Sequence, residues 1–115
     1  MRVTGANLQV VNGLNATGTT NGTGNLIVGY NQDASSRYVC SNGEFDISTC
    51  TAGGAIWSNH HRSGSHNIVT GESNNYSQYA GLVAGSDNTI NRGYASVSGG
   101  TYNIASGWAS SVTGG

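Results

Sequence analysis

The sequence predicts an all-β chain: a short β-solenoid, or parallel β-roll, of 14–15-residue coils interrupted by one disulfide-closed loop insertion. Three observations predict it. A Gly-x-x-Asn element recurs at Gly71, Gly85 and Gly100 in steps of 14 and 15 residues, and Gly115 opens another 15 further on. Before each glycine stands a short β-prone stretch: Asn67-Ile68-Val69-Thr70, Gly81-Leu82-Val83-Ala84, Ser96-Val97-Ser98-Gly99 and Ser111-Val112-Thr113-Gly114. Gly, Ser, Asn and Thr fill 59 of the 115 positions and Leu, Ile, Val and Phe only 20, with no proline, so turns and thin strands dominate. A period this short is too small for helical repeats and fits a coil of two short strands joined by two tight turns.

Taken in order, the chain reads as a single domain over 1–115 with three parts. Residues 1–31 carry a looser copy of the pattern, Val10-Val11-Asn12-Gly13-Leu14-Asn15 and Ile27-Val28-Gly29-Tyr30-Asn31, and are expected to form N-terminal β coils. Over 32–63 the pattern stops. This interval holds both cysteines, Phe45, Trp57, His60, His61 and Arg62, and reads as an insertion between rungs. Residues 64–115 are the repeat coils, one unit being G-x-x-N-x-(I/A)-(N/S)-x-G-(Y/W)-A-S-x-V. On that alignment Tyr94 and Trp108 share a position. Glycine takes positive φ and close backbone approach at no steric cost and Asn is next best, which accounts for both recurring at fixed offsets.

Each coil has only one or two apolar residues to turn inward, too few to exclude water alone. Copies of the chain are therefore expected to share a core, with Val69, Val83, Val97 and Val112 facing it and a closed cyclic arrangement as the result.

Composition narrows the function. Four arginines, no lysine and a net charge of -1 speak against a sequence-independent hold on nucleic acid, which needs many phosphate contacts. No apolar run reaches the ~18 residues of a membrane span. Cys40 and Cys50, ten apart, suit a local disulfide in an oxidising compartment better than a metal site, and a bridge there is worth roughly 2–3 kcal/mol in loop entropy. Free thiols or a redox pair are the less favoured alternatives. The chain is accordingly placed outside the cell, with its export signal elsewhere.

Residues Ser96 to Val112, with Ser96-Val97-Ser98-Gly99-Gly100 and Ala105-Ser106-Gly107-Trp108-Ala109-Ser110-Ser111-Val112, resemble the head repeats of trimeric autotransporter adhesins. The similarity covers about 64–115, with a step nearer 14 in that family than the 15 found here. Over most of the chain, Gly5-Ala6-Asn7-Leu8-Gln9-Val10, Gly24-Asn25-Leu26-Ile27-Val28-Gly29 and Gly64-Ser65-His66-Asn67-Ile68-Val69 resemble the C-terminal domain of bacterial collagen-like surface adhesins of the Legionella type. These resemblances imply a homotrimer on a stalk at the bacterial cell surface, with sulfated glycosaminoglycans as ligands.

The candidate binding residues for an anionic glycan are Arg37, Arg62, Arg92, His60, His61 and His66. Arginines multiplied by three around an axis make a multivalent anion site. A solvated arginine, balanced by Glu72 or Asp87, is the equally weighted alternative for any one of them. Protonated histidines would add charge as pH falls toward 6. Metal binding by the histidines is disfavoured because adjacent residues of an extended segment point to opposite faces. Tyr76, Tyr79, Tyr94, Tyr102, Trp57 and Trp108 suggest either sugar-stacking platforms or a ladder that stiffens the stack. No metal site, cofactor or catalytic signature is expected: G-x-S-x-G and P-loop motifs are missing from the sequence. Three functions remain: a trimeric surface adhesin domain binding host or matrix glycans, a non-binding spacer or trimerisation cap of a surface fibre, and, more remotely, an ordered Thr/Ser face that binds ice.

Overall fold

The computed structural model describes residues 1–33 and 37–115. Strand β1 spans Leu26–Val28, β2 Val39–Cys40, helix α1 Ile47–Ala52 and β3 Trp57–Ser58. Then follow β4 (Ile68–Glu72), β5 (Asn75–Tyr76), β6 (Leu82–Ser86), β7 (Thr89–Ile90), β8 (Ser96–Val97), β9 (Ile104–Ala105) and β10 (Ser111–Val112). One parallel sheet runs β1-β4-β6-β8-β10, a second runs β5-β7-β9, and β2 pairs with β3 antiparallel. The chain is mostly β and winds as a solenoid of about three turns; the rungs of β4, β6 and β8 contribute one strand to each parallel sheet, and β1 and β10 extend the first sheet alone.

Alternation along the strands fixes which side chains turn inward. In Ile68-Val69-Thr70 and Leu82-Val83-Ala84 the middle residue points into the coil and its neighbours point out, as a period of two requires. Val69, Val83 and Val97 are fully buried and stack in register, Tyr76, Ile90 and Ala105 close the interior from the second sheet, and Ala95, just before β8, joins the same cluster. Val112 sits partly buried on the last rung. These four valines were expected at a core shared between copies. They line the interior of one chain instead, because stacking rungs supplies the neighbours that a single coil lacks.

The registers run Val69 to Val83 to Val97 to Val112, which gives steps of 14, 14 and 15. The extra residue is a bulge. Between the pairs Val83–Val97 and Ser86–Thr101, two residues of one rung face three of the next, Ser98, Gly99 and Gly100. This explains why β8 stops after Val97 whereas β4 and β6 continue for five residues.

The recurring asparagines have a different cause from the one expected. The left-handed backbone falls on Ser73, Asp87 and Tyr102, with φ of 55°, 56° and 59°, and not on Asn74, Asn88 and Asn103 that follow them. These asparagines, with Asn31, form a buried ladder, of which Asn31 alone has positive φ, 44°. Asn74 Oδ1 accepts the Asn88 N–H at 3.0 Å and Asn88 Oδ1 accepts the Asn103 N–H at 2.9 Å. Asn88 Nδ2 donates to Ala84 O at 2.7 Å and to Gly100 O at 2.9 Å. A second, shorter ladder joins Asn25 to Asn67, whose Oδ1 accepts the Gly81 N–H. Side-chain amides thus satisfy the turn's backbone groups that would otherwise be buried and unpaired. Glycine precedes each ladder position both for its positive φ, 109° at Gly71 and 105° at Gly85, and for lack of room: a Cβ on Gly71 would overlap the carbonyl oxygen of Gly85, and one on Gly85 that of Gly100.

Because β1 pairs directly with β4, Leu26 opposite Ile68, the stack closes without the intervening segment. That segment forms a small subdomain clamped by the Cys40–Cys50 disulfide, with Cα atoms 5.8 Å apart and both residues fully buried. Its helix starts at Asp46, whose side chain accepts the Thr49 N–H at 2.8 Å. It lies against the second sheet: Ser77 Oγ donates to Ser41 O at 2.6 Å and Asn91 Nδ2 to Cys40 O at 3.0 Å. Residues 1–25 contain no strand. They pack on the first rung through Asn21 N–H to Ser65 Oγ and Gly22 N–H to Ser63 O.

Candidate functional site

The six cationic candidates are distributed over the molecule, each engaged locally. His60 faces solvent with Nδ1 3.1 Å from an Asp33 carboxylate oxygen, whereas His61 is buried with Nε2 2.8 Å from Val39 O. The two point apart, as neighbouring extended residues must. His66 takes a left-handed conformation, φ 60°, and grips the N-terminal segment. Its Nε2 accepts the Asn12 N–H at 3.1 Å and its Nδ1 lies 3.0 Å from Thr17 O. That pairing defines an imidazole protonated on Nδ1 only, so a second proton would cost the Asn12 bond. Among the described residues no three or more His, Cys, Asp or Glu side chains converge on one point.

Arg62 donates to Asn31 O, its Nε is buried without an acceptor among the described residues, and it lies beside the Tyr76 phenol. Burial pushes that phenol above its ordinary value, and the guanidinium pulls against the shift. Arg37 donates to Tyr102 O at 2.7 Å and its guanidinium stands 5.9 Å from the Tyr102 ring centre. Arg92, half-buried, runs its Cδ and Nε along Gly43 of the insertion.

The aromatic residues do not form the expected ladder. By backbone register Trp108 is equivalent to Gly93 and Tyr79, while Tyr94 is equivalent to Ala80 and Ala109. The bulge shifts the alignment by one. Gly93 leaves a gap into which the rings of the rungs on either side lean: Tyr79 and Trp108 approach to 6.1 Å between centres, and Tyr94 meets Tyr79 edge-on at 5.3 Å. A Cβ on Gly93 would lie 2.8 Å from the Tyr79 ring.

Two features went unread in the sequence. The first is the outer face of the five-stranded sheet, where Leu26, Val28 and Ile68 are 48, 60 and 49% exposed and Leu82 half-buried, giving way to Ser96 and Ser111 on later rungs. Period-two alternation was the available signal, because in Leu26-Ile27-Val28 and Ile68-Val69 only one of two adjacent apolar residues can point inward. The second is a crevice of about 60 Å³ between the insertion and the coil, lined by Tyr38, Glu44, Phe45, Trp57, Asn91 and Ile104 among others. Its residues come from four separate stretches of chain, 38–45, 57, 91 and 104, and no local pattern announces it. A larger cavity of about 560 Å³ opens beside the N-terminal segment, between Val10, Asn15 and His66. Comparison with protein-family models, with curated proteins and with solved structures finds nothing that matches this chain.

Proposed function

We propose that this chain is a domain of a bacterial surface adhesin that assembles from three copies outside the cell and binds anionic glycans of host or matrix. One observation carries the reading: Val69, Val83 and Val97 are already buried within one chain, yet the outer face keeps the apolar residues Leu26, Val28, Ile68 and Leu82. A half-exposed apolar strip on a rigid sheet is the kind of surface that association covers. The strip, rather than the buried valines, is the intersubunit contact of this proposal. The disulfide suits an oxidising compartment. Arg92 is the cation best placed for a sulfate or carboxylate, since Arg37 and Arg62 already donate to backbone carbonyls.

Light scattering of the chain is expected to return about three times 11.7 kDa, and titration with a heparin oligosaccharide is expected to weaken in Arg92→Ala. A mass of one chain defeats the assembly. The spacer reading is favoured by the engagement of Arg37 and Arg62 with their own backbone, and an assembled trimer that ignores every anionic glycan would establish it.

A further inference from the structure

We propose that the crevice between the insertion and the coil binds a primary alkylammonium group, such as the end of a lysine side chain. The proposal stands apart from the glycan reading and needs neither the arginines nor the trimer.

The observation that starts it is Asn91, 3% exposed, whose Nδ2 donates to Cys40 O. That bond fixes which way the amide points, since the flipped amide would set oxygen against oxygen. Oδ1 is left buried with no hydrogen-bond partner among the described residues, and Asn91 lines the crevice. Oδ1 itself has no exposed surface, so a donor entering the crevice satisfies it only when the wall parts to admit it. The other polar side chain at the wall is Glu44, half-buried and without an ion-pair partner among the described residues. Tyr38, Phe45 and Trp57 complete the lining, and the faces of aromatic rings attract cations. Two acceptors and three rings, with no cation in the lining, are complementary to a positively charged donor.

Size and hydrogen count narrow the class. A volume of about 60 Å³ is that of roughly two water molecules, enough for an ammonium and the first methylene of an unbranched chain. A quaternary ammonium has no N–H for Asn91 Oδ1. A hydroxyl would satisfy Asn91 and leave Glu44 uncompensated. Arg92, packed along Gly43 at the crevice's flank, opposes the ligand's charge.

The test is an NMR titration of the isotope-labelled full chain with n-butylammonium up to roughly 100 mM at constant ionic strength, following the Trp57 indole N–H and the Asn91 side-chain amide. Saturable shifts are expected with n-butylammonium and with Nα-acetyllysine methylamide. Tetramethylammonium, n-butanol and glucosamine, whose ammonium sits on a branched carbon, are expected to bind at least about tenfold more weakly. Glu44→Gln should weaken binding by roughly fivefold and Arg92→Gln tighten it by about twofold, each on a fold unchanged in its backbone spectrum. Phe45→Ala, at a side chain 79% exposed, should also weaken it. Shifts that stay linear, equal binding of tetramethylammonium, tighter binding of glucosamine, or indifference to Glu44→Gln would each overturn the proposal. Because Arg92→Gln is expected to tighten the ammonium while Arg92→Ala weakens a glycan, failure of one reading is distinguishable from failure of the other.

Discussion

Replacing Asn88 by aspartate separates two explanations of why asparagine recurs at every rung. If the position needs only a turn-forming residue, aspartate serves nearly as well. If it needs the amide, aspartate fails for a definable reason. Its carboxylate can still accept the Asn103 N–H, but it cannot donate to Ala84 O and Gly100 O, now 2.7 and 2.9 Å from Asn88 Nδ2. Ala84 O loses its side-chain donor, Gly100 O keeps only the Ser86 N–H at 3.1 Å, and an anion is set against both carbonyls where Asn88 is fully buried. The expected loss is roughly 3–5 kcal/mol at neutral pH, out of a total that is about 5–15 kcal/mol for most domains. Urea unfolding followed by circular dichroism measures it, with an accompanying fall in Tm of roughly 10–20 °C. Partial recovery below the carboxyl's titration, where the protonated acid donates to one carbonyl, is part of the same expectation. A loss below about 0.5 kcal/mol would refute the ladder.

Four further outcomes follow from the same geometry. Ile68→Asp, on the half-exposed outer face, should reduce the mass in solution to one chain while leaving the unfolding of that chain little changed. Gly93→Ala should cost about 1–3 kcal/mol, because its Cβ meets the Tyr79 ring, and should alter Trp108 fluorescence. Tyr76 has a phenol pushed upward by burial, so the fold prefers its neutral form. That contribution is complete below the unfolded value near 10 and is lost as pH rises through the folded one, which an alkaline unfolding series on the native chain and Tyr76→Phe should show as a steeper decline in the former. His66→Ala removes the acceptor of the Asn12 N–H, and limited proteolysis should then cut within residues 1–20 at a rate several-fold higher, with the repeat coils left intact.

The coil period, the two strands per turn and the local disulfide were legible because each is written in neighbouring residues. Val69, Val83 and Val97 recur at a spacing that only stacked rungs explain, and nine residues between the cysteines leave a short loop to close. The role of the asparagines was not legible, since a turn residue and a ladder residue have the same letter and the same offset. The pairing of Trp108 with Gly93 rather than Tyr94 was hidden because Gly93-Tyr94-Ala95-Ser96 matches Gly107-Trp108-Ala109-Ser110 at a step of 14, whereas the backbone register there is 15.

The amino-acid sequence alone determined that this chain coils: glycine at the crowded corners, one inward valine per rung and alternating β-prone residues permit little else. Tertiary structure decided which apolar side chains are spent on the chain's own interior and which remain outside. It also left Asn91 buried, its side-chain oxygen without a partner among the described residues, in the wall of a crevice it shares with Glu44 and three aromatic residues. The physical reason is that burial and hydrogen-bond satisfaction are properties of neighbours in space. The strand register sets those neighbours across 14 or more residues, and the insertion sets them across some 50, beyond the reach of any local pattern.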